Sequence, residues 1–390
     1  MAREYYYYND IDTSRRNRRD LTLMHLLDGF AVILSAVVVI ADIATLAVPH
    51  LHPSRFTSIP VLALAAQWLF AATVILTLYW IIRRHLRPAI VTGIFTLIGL
   101  FYTPLYYKTE IRRDYGNETY DRMALRVMTY NLRCFYSDDG ERFTIDSVAS
   151  FVRSFDPDII CFQEFLPPAG CSAAYIDSVM GGGYRTVTFD GTAAPAAIMS
   201  RFRILRSGRL PERGDTMLHG KALWADLLIE NDTVRTFCVH LNGTSINNAD
   251  ADYIVNRRYV SDTARNSKFR DIVRRINVRT IDRAYHVDAL AAALDTTRYA
   301  KILCGDFNDT PMSYAYKRLS DDMTDAFAEC GRGYGYTFRG FYNTLRIDYA
   351  LFESSRFEIL SYSAPDSILL SDHLPVCTRV LLKPQVQPKH

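Results

Sequence analysis

The chain has 390 residues, a formal net charge of +3 and 49% hydrophobic residues. That length allows two or three domains, and so mild a positive charge does not indicate a protein that binds nucleic acid by bulk electrostatics. The seven cysteines are odd in number and include no CxxC pair. They therefore indicate neither a zinc site nor a complete disulfide framework.

Long apolar runs dominate the N-terminal part of the chain, after a polar tail, residues 1–20, that carries five arginines. The runs cover residues 26–48, 59–82 and 89–107; Asp28 and Asp42 interrupt the first, and the other two contain no charge. A helix needs about 20 apolar residues to cross a bilayer. We therefore predict a three-helix transmembrane anchor over residues 21–107, and the first run is too long for a signal peptide.

The basic residues that flank these runs predict the orientation. Five arginines precede the first run, and three lie between the second run and the third. Between the first run and the second, Arg55 is the only lysine or arginine. The positive-inside rule places the N-terminus in the cytoplasm, and three crossings then place the rest of the chain outside it, in the periplasm if the source is bacterial. Asp42 could mark a functional pathway, but we favour a position near the outer interface or facing the other two helices.

After a polar linker, residues 108–124, the pattern changes to that of one soluble α/β domain over residues 125–384, followed by a tail, 385–390. Helical spacing of apolar residues predicts a helix over 145–155 and another helical region over 251–294. Strands are predicted at 126–133, 159–163, 185–189, 196–200, 222–229, 233–241, 301–305, 345–352 and 376–382.

Polar groups that suit chemistry gather where these strands end or begin. They are Asn131, Glu164, His240, Asp306, Asn308, Asp348, Asp372 and His373. On an extended chain Asp306 and Asn308 would share a face, and Pro311 fits the first turn of a following helix. Taken alone, this stretch is also compatible with an ordinary strand-to-helix turn. Asp348 lies within an apolar strand, where an acid needs a partner, and His373 is the candidate.

Six short motifs containing these residues occur in an order that resembles the endonuclease/exonuclease/phosphatase superfamily, whose prototype is deoxyribonuclease I. They are Tyr130-Asn131-Leu132-Arg133, Cys161-Phe162-Gln163-Glu164, Val239-His240, Gly305-Asp306-Phe307-Asn308, Arg346-Ile347-Asp348-Tyr349 and Ser371-Asp372-His373-Leu374-Pro375. The resemblance covers about residues 125–384. It implies a four-layer α/β/β/α sandwich, two mixed sheets face to face with helices outside.

The resemblance also implies roles for the residues. Glu164 would be the main metal ligand, with Asn131 and Asp372 completing the set. Their oxygen donors suit Mg²⁺, or Mn²⁺ or Ca²⁺, rather than zinc. His373 would act on the attacking water or a phosphate oxygen, with Asp348 fixing its tautomer. Asp306 and Asn308 would orient the nucleophile and hold the phosphoryl group, and His240 would donate to a phosphate oxygen or the leaving group.

Arg133 stands where abasic-site endonucleases carry a metal-binding acid, so a second metal is not indicated, and we assign Arg133 with Asn308 to substrate binding. The predicted function is a membrane-anchored, metal-dependent phosphoesterase whose substrate is a lipid headgroup phosphate or a nucleic acid. The sequence leaves the oligomeric state open. The alternative is a catalytically inert sensing or binding domain coupled to the transmembrane helices, which would tolerate loss of these residues.

One further segment, residues 251–285, is strongly basic, with nine Lys or Arg residues against four aspartates. We name it the basic segment. It could be a solvated helix face, or a cationic cover that attracts phosphate-rich ligands or anionic lipid headgroups. A short linker keeps the domain near the bilayer, so we predict that the basic segment docks the site on the membrane or gathers a lipid-borne phosphodiester.

Overall fold

The structure, a computed structural model, describes residues 2–57, 59–109, 123–137, 140, 142–167, 171–188, 195–210, 222–243 and 262–384, with the side chains of residues 2–22, 173 and 262–269 left out. Most of the predicted linker, the first eleven residues of the basic segment and residues 385–390 lie outside this description. The chain divides into two compact units. One comprises residues 1–46 and 65–102, and the other comprises residues 47–64 and 103–390.

The first unit is helical. Its helices are α1 (Ala2–Ala47), α2 (Leu62–Ile82) and α3 (Leu86–Tyr102), whose ends at Ala47 and Leu62–Leu64 belong to the second unit. Three stretches are long and apolar enough to cross a membrane: Leu23–His50, Leu62–Ile82 and Leu86–Leu105. Asp42 is fully buried and accepts a hydrogen bond of 2.6 Å from the Thr73 hydroxyl of α2. It therefore faces a neighbouring helix, which is the interpretation we favoured.

The second unit is built on two six-stranded mixed sheets. One sheet has the order β10-β12-β9-β8-β7-β6, and the other has the order β13-β14-β2-β3-β5-β4. The strands of the first, in chain order, are β6 (Arg203–Arg209), β7 (Ala222–Ile229), β8 (Asp232–His240), β9 (Ala300–Asp306), β10 (Met323–Asp325) and β12 (Asp348–Glu353). Those of the second are β2 (Leu125–Asn131), β3 (Ile159–Gln163), β4 (Arg185–Thr188), β5 (Ala196–Ser200), β13 (Phe357–Ser363) and β14 (Val376–Leu382). A small ribbon pairs β1 (Tyr107–Lys108) with β11 (Gly333–Tyr334).

Helices cover the outer faces of both sheets. They are α4 (Ile145–Phe155), α5 (Ala173–Val179), α6 (Asp262–Thr296) and α7 (Tyr314–Leu319), whereas α8 (Ala326–Cys330) contributes Ala326 to the core between the sheets. One buried apolar cluster joins side chains of both sheets, a second joins β2, β3 and β5 to α4 and α5, and a third joins β8, β9 and β12 to α6 and α7. These three layers of core between four layers of structure confirm the predicted α/β/β/α sandwich.

Several strand predictions match to the residue, because short apolar runs bounded by polar residues identify buried strands well. Others differ. The predicted strand 345–352 begins only at Asp348, which is its first residue rather than its middle. Pro311 precedes α7 by three residues and is not in its first turn; Ser313 caps that helix instead, accepting from the Tyr316 amide. All seven cysteines are free.

Candidate active site

Strand register alone aligns three of the predicted residues. In the parallel pair β8–β9, His240 lies opposite Asp306, and in the antiparallel pair β9–β12, Asp306 lies opposite Asp348. The three therefore form a row across neighbouring strands at one edge of the first sheet. His240 and Asp306 end their strands, whereas Asp348 begins an antiparallel one. The same edge thus collects residues from strand ends and from a strand start.

Gly305 makes the close pairing of this row possible. Its φ is +144°, and a Cβ atom added there would lie 2.0 Å from the Val239 carbonyl oxygen. No other residue fits a backbone that approaches its neighbour so closely. The glycine before Asp306 is therefore dictated by packing at the site's edge.

The second sheet contributes from the facing edge. Asn131 ends β2 and Glu164 follows β3, and these two strands run parallel. Glu164 and Arg133 then have left-handed backbone conformations. Residues other than glycine adopt this conformation only where a tight local structure holds them in it. The turn is fixed by the Cys134 amide, which donates to the Glu164 carbonyl at 3.1 Å. The loop before β14 is tied to the same place, because the Ser371 hydroxyl donates to the Asn131 carbonyl at 2.8 Å.

Asp306 is the point at which the two sheets' contributions meet. Its Oδ2 accepts from the Asn131 amide at 3.1 Å and from the Asn308 amide at 2.9 Å. Its Oδ1 accepts from the Asn308 backbone N–H at 2.8 Å. The His240 and His373 Nε2 atoms lie 3.7 and 3.9 Å from Oδ2. Asn308 reaches Asp306 from a left-handed turn with φ of 52°, so the extended chain that we predicted there is wrong, although the two side chains do meet.

His373 and Asp348 form the predicted pair. Nδ1 of His373 lies 2.9 Å from Asp348 Oδ2, and the ring packs against Phe338 with centroids 5.0 Å apart. Burial opposes the charged imidazole, but the Asp348 and Asp306 carboxylates outweigh it and raise the pKa of His373 to about 10. Burial and the Asp348 carboxylate raise the pKa of Asp306 to about 8. Both shifts favour the protonated forms, the imidazolium of His373 and the neutral carboxyl group of Asp306.

The remaining residues form a more open half. Glu164 accepts from the Asn131 amide at 3.3 Å and lies 3.8 Å from His240 Nε2. Arg133 Nε lies 3.8 Å from Asp372 Oδ2. Burial raises the pKa of Glu164, and the nearby Asp372 carboxylate raises it further, against opposing effects of His373 and the Asn131 hydrogen bond.

These residues fit a divalent cation. Four carboxylates surround the site: Glu164, Asp306, Asp348 and Asp372. Their mutual repulsion, together with burial, disfavours the ionised forms of Glu164 and Asp306, and an anionic phosphate would not approach such a site without a balancing cation. The predicted ligands Asn131, Glu164 and Asp372 supply hard oxygen donors at its open half.

A second arrangement of donors lies in the buried half. One donor atom each of Asp306, Asp348 and His373 lies within 4.8 Å of the others, close enough to hold a metal ion. The Nδ1 atom of His373 is already engaged by Asp348 in a direct contact of 2.9 Å. A buried imidazole–carboxylate pair in direct contact is the geometry of a working acid–base group. The buried cluster therefore suits an acid–base role as well as a metal site.

Sequence reasoning missed Arg283, which supports the site by hydrogen bonds to two of its loops. This residue of α6 is 1% exposed. Its Nε donates to Asp309 Oδ2 at 3.0 Å, and its Nη1 donates to the Asn242 carbonyl at 2.6 Å. Asp309 follows Asn308, and Asn242 lies two residues after His240. Arg283 thus joins the two loops that carry them, and in sequence it was indistinguishable from the other arginines of the basic segment.

Comparison with known protein families identifies the family of this chain. The sequence profile of the Endonuclease/Exonuclease/phosphatase family matches residues 128–373, more than half of the chain. The chain belongs to this family. A second profile, a domain of unknown function, matches residues 28–106. No curated protein sequence matches the chain.

Similar solved structures are distant. An endonuclease/exonuclease/phosphatase family protein of Bacteroides thetaiotaomicron is 18% identical, with 68% of this chain and 98% of that chain covered and a TM-score of 0.47. The corresponding protein of Beutenbergia cavernae is 18% identical, with 67% and 72% covered and a TM-score of 0.46. A 3′ phosphatase from Neisseria, solved with a product DNA hairpin, is 19% identical, with 65% and 98% covered and a TM-score of 0.45.

Proposed function

We propose that the protein is a membrane-anchored, divalent-metal-dependent phosphodiester hydrolase. Hydrolysis of phosphoester bonds is the chemistry of its family, and the observation that carries the proposal is the buried Asp306–His373–Asp348 arrangement beside the Glu164 carboxylate. An inert binding domain would have no need to keep an acid–base pair desolvated, which costs free energy unless the groups are paired.

Each residue of the site would have its own part in the reaction. His373, kept as an imidazolium by Asp348, would donate a proton or hydrogen bond to a phosphate oxygen. Asp306 would orient the attacking water and, in its ionised form, take a proton from it; its raised pKa makes that form a stronger base than an ordinary carboxylate. Asn308 would hold the phosphoryl group, and His240 would donate to the leaving group.

The open half would bind the cation and the substrate. Glu164, Asn131 and Asp372 would hold Mg²⁺, or Mn²⁺ or Ca²⁺. A cation held there neutralises charge on the non-bridging phosphate oxygens. Arg133, beside Asp372, would contact the phosphate from the solvent side.

A substrate panel tests the proposal. DNA, RNA, sphingomyelin, phosphatidylinositol phosphates and an aryl phosphodiester would be incubated with the full chain, with Mg²⁺ and with EDTA, and His373→Ala would serve as the blank. We expect metal-dependent hydrolysis of the aryl diester and of either the lipid or the nucleic-acid class. Full activity in EDTA would contradict metal dependence, and no hydrolysis of any substrate would favour the inert alternative.

We also propose that the catalytic domain lies outside the cytoplasm. The arginine distribution supports this orientation. The connector, residues 47–64, comprises the stretch between the first two candidate spans and the adjoining ends of both spans. It belongs to the catalytic unit, and three crossings would put both on one side. A reporter fused after His390 should be active only outside the cytoplasm, and activity only inside would overturn the orientation.

A further inference from the structure

The connector, residues 47–64, is held against the catalytic domain by specific contacts. The Thr310 hydroxyl donates to the Ala63 carbonyl at 2.9 Å. His52 Nε2 lies 3.3 Å from Asp288 Oδ2 of α6, and its ring packs on Tyr314 with centroids 5.1 Å apart. The connector therefore runs alongside α6, the helix that contains most of the basic segment.

A groove of about 370 Å³ lies where the connector meets α6, and it contains none of the predicted site residues. Thr57 of the connector lines it on one side. The other lining residues are Arg270, Val273, Arg274, Asn277, Val278 and Ile281 of α6. Their spacing of three and four places them on one helical face. Ile272 and Ile276, in contrast, are buried, so the groove face is separate from the buried face of α6.

The lining combines two chemistries. Val273, Val278 and Ile281 make the wall mostly apolar, and Val278 is half exposed. Arg270 and Arg274, one turn apart, place two exposed cationic side chains at one end of the same face. An apolar groove with a cationic end suits a molecule that has an anionic head and an apolar tail.

The chain places this groove close to the bilayer. Thr57 precedes Leu62, the first residue of the second candidate span, by five residues. Five residues extend at most about 18 Å, so an anchored protein must hold the groove near the membrane surface. The ligand with the required chemistry at that surface is a phospholipid.

We propose that this groove binds one anionic glycerophospholipid of the surrounding bilayer, with its phosphate on Arg270 and Arg274 and part of its acyl chain on Val273, Val278 and Ile281. The proposal rests on the proposed membrane anchoring and concerns a site other than the hydrolytic one. It replaces the general attraction predicted for the basic segment with two named arginines on one face.

Native mass spectrometry of the detergent-solubilised full chain, with EDTA present so that the lipid is not hydrolysed, measures the binding. Phosphatidylglycerol is the probe, and phosphatidylcholine and glycerol 1-phosphate are the comparison ligands. The Arg270→Gln/Arg274→Gln variant should bind phosphatidylglycerol about 30-fold more weakly, from the loss of two cation contacts. Val278→Asn, on a half-exposed residue, should weaken binding about fivefold through the lost apolar contact.

The matched control removes the same charge from elsewhere on α6. Arg275 and Arg279 are exposed but do not line the groove, so Arg275→Gln/Arg279→Gln should weaken binding by less than about threefold. Equal losses in the two double variants would overturn the proposal in favour of bulk charge. Equal binding of phosphatidylcholine or of glycerol 1-phosphate would also overturn it, as would binding of a short RNA, but not of lipid, that depends on Arg270 and Arg274.

Hydrolysis of an aryl phosphodiester with Mg²⁺, assayed on the same preparations, separates this proposal from the proposed function. If the wild type hydrolyses the diester but the Arg270→Gln/Arg274→Gln variant binds lipid normally, only the groove proposal fails. If lipid binding shows the predicted pattern without hydrolysis, the proposed function fails and the groove remains. Recovery of the wild type in the soluble fraction of cells would contradict the anchoring on which the groove rests.

Discussion

In the buried half of the site Asp306, Asp348 and His373 are at most 6% exposed, whereas the Glu164 and Asp372 side chains of the open half keep 32% and 29% of their surface in water. The buried carboxylates have partners inside the protein: Asp348 pairs with His373, and Asp306 accepts three hydrogen bonds from Asn131 and Asn308. At the open half, by contrast, the Arg133 guanidinium stays 3.8 Å from Asp372.

This difference follows from the cost of desolvation. A buried charge without a partner costs several kcal/mol, so each charged group of the buried half needs a partner in the folded protein. The Asp348 carboxylate has His373 at its Oδ2, although its buried Oδ1 has no hydrogen-bond partner among the described residues. The open half can remain incomplete because water still solvates its carboxylates. This contrast supports the proposal that the buried half acts as a preorganised acid–base pair and that a cation and the substrate complete the open half.

The largest effect should come from the buried half. His373→Ala removes the imidazolium, and we expect kcat for an aryl phosphodiester to fall by about 10²–10⁴-fold. Excess Mg²⁺ should not restore activity, because the missing group is not a metal ligand in our assignment. Thermal unfolding of the variant checks that the fold is intact. If excess Mg²⁺ restored the activity of His373→Ala, the proposed division between the two halves would be wrong.

Glu164→Gln should act through the metal instead. Loss of the carboxylate charge weakens cation binding, and we expect the Mg²⁺ concentration that gives half-maximal activity to rise by about 10–100-fold. Saturating Mg²⁺ or Mn²⁺ should restore part of the turnover, unlike in His373→Ala. The measurement is a metal titration of the initial rate. An unchanged titration midpoint would remove Glu164 from the cation site.

Asp348→Asn should lower kcat by about tenfold, because the imidazole stays but loses the carboxylate that orients it. The Asp348 charge raises the pKa of His373, so this variant should lower that pKa. Activity that needs the imidazolium is lost as pH rises through that pKa, and the alkaline limb of the rate profile should therefore move to lower pH. The same wild-type charge stabilises the fold fully below about pH 6.5 and progressively less as pH rises toward 10.

A pH–rate profile of both proteins at saturating Mg²⁺ measures this shift. A thermal unfolding series over the same pH range provides the stability readout. If Asp348→Asn matches the wild type across pH, the His373–Asp348 contact has no role in the reaction.

Most of the sandwich could be predicted from sequence. Runs such as Ile159–Gln163 and Val376–Leu382 are short, apolar and bounded by polar residues, and this pattern identifies buried strands. Strands such as Arg203–Arg209 and Phe357–Ser363 escaped prediction because charged and polar residues interrupt their apolar ones. Their stability comes from pairing with a neighbouring strand, which no local pattern reveals.

The site's residues were visible because each stands at the edge of a strand, but their contacts were not. That His240, Asp306 and Asp348 form one row depends on the register of β8, β9 and β12. Glu164 and Asn308 have left-handed backbone conformations. The sequence did not predict these turns, because neither residue is a glycine. Arg283 is the residue that the sequence predicts least well. An arginine in a basic segment is expected to be exposed to solvent, whereas the fold buries this one.

The smallest expected effect concerns Arg283, which supports two loops of the buried half. Arg283→Lys keeps the charge but loses the guanidinium that donates to both Asp309 and the Asn242 carbonyl. Arg346→Lys is the matched control, since Arg346 is equally buried and bonds Asp325 and the Leu105 carbonyl, neither of which belongs to the site. Each should cost about 1.5–3 kcal/mol of unfolding free energy, the value of a hydrogen bond to a charged group.

Turnover should distinguish them. Because Arg283 fixes the loops that follow His240 and Asn308, we expect Arg283→Lys to lower kcat by about threefold to tenfold at saturating Mg²⁺, in line with a small misplacement of catalytic groups. The Mg²⁺ midpoint should stay unchanged, because the open half is untouched, and Arg346→Lys should keep wild-type kcat. Equal kcat losses in both variants would show that Arg283 stabilises the domain without positioning the loops. A shifted metal midpoint in Arg283→Lys would show that the two halves are coupled through Asn131, whose amide bonds both Asp306 and Glu164.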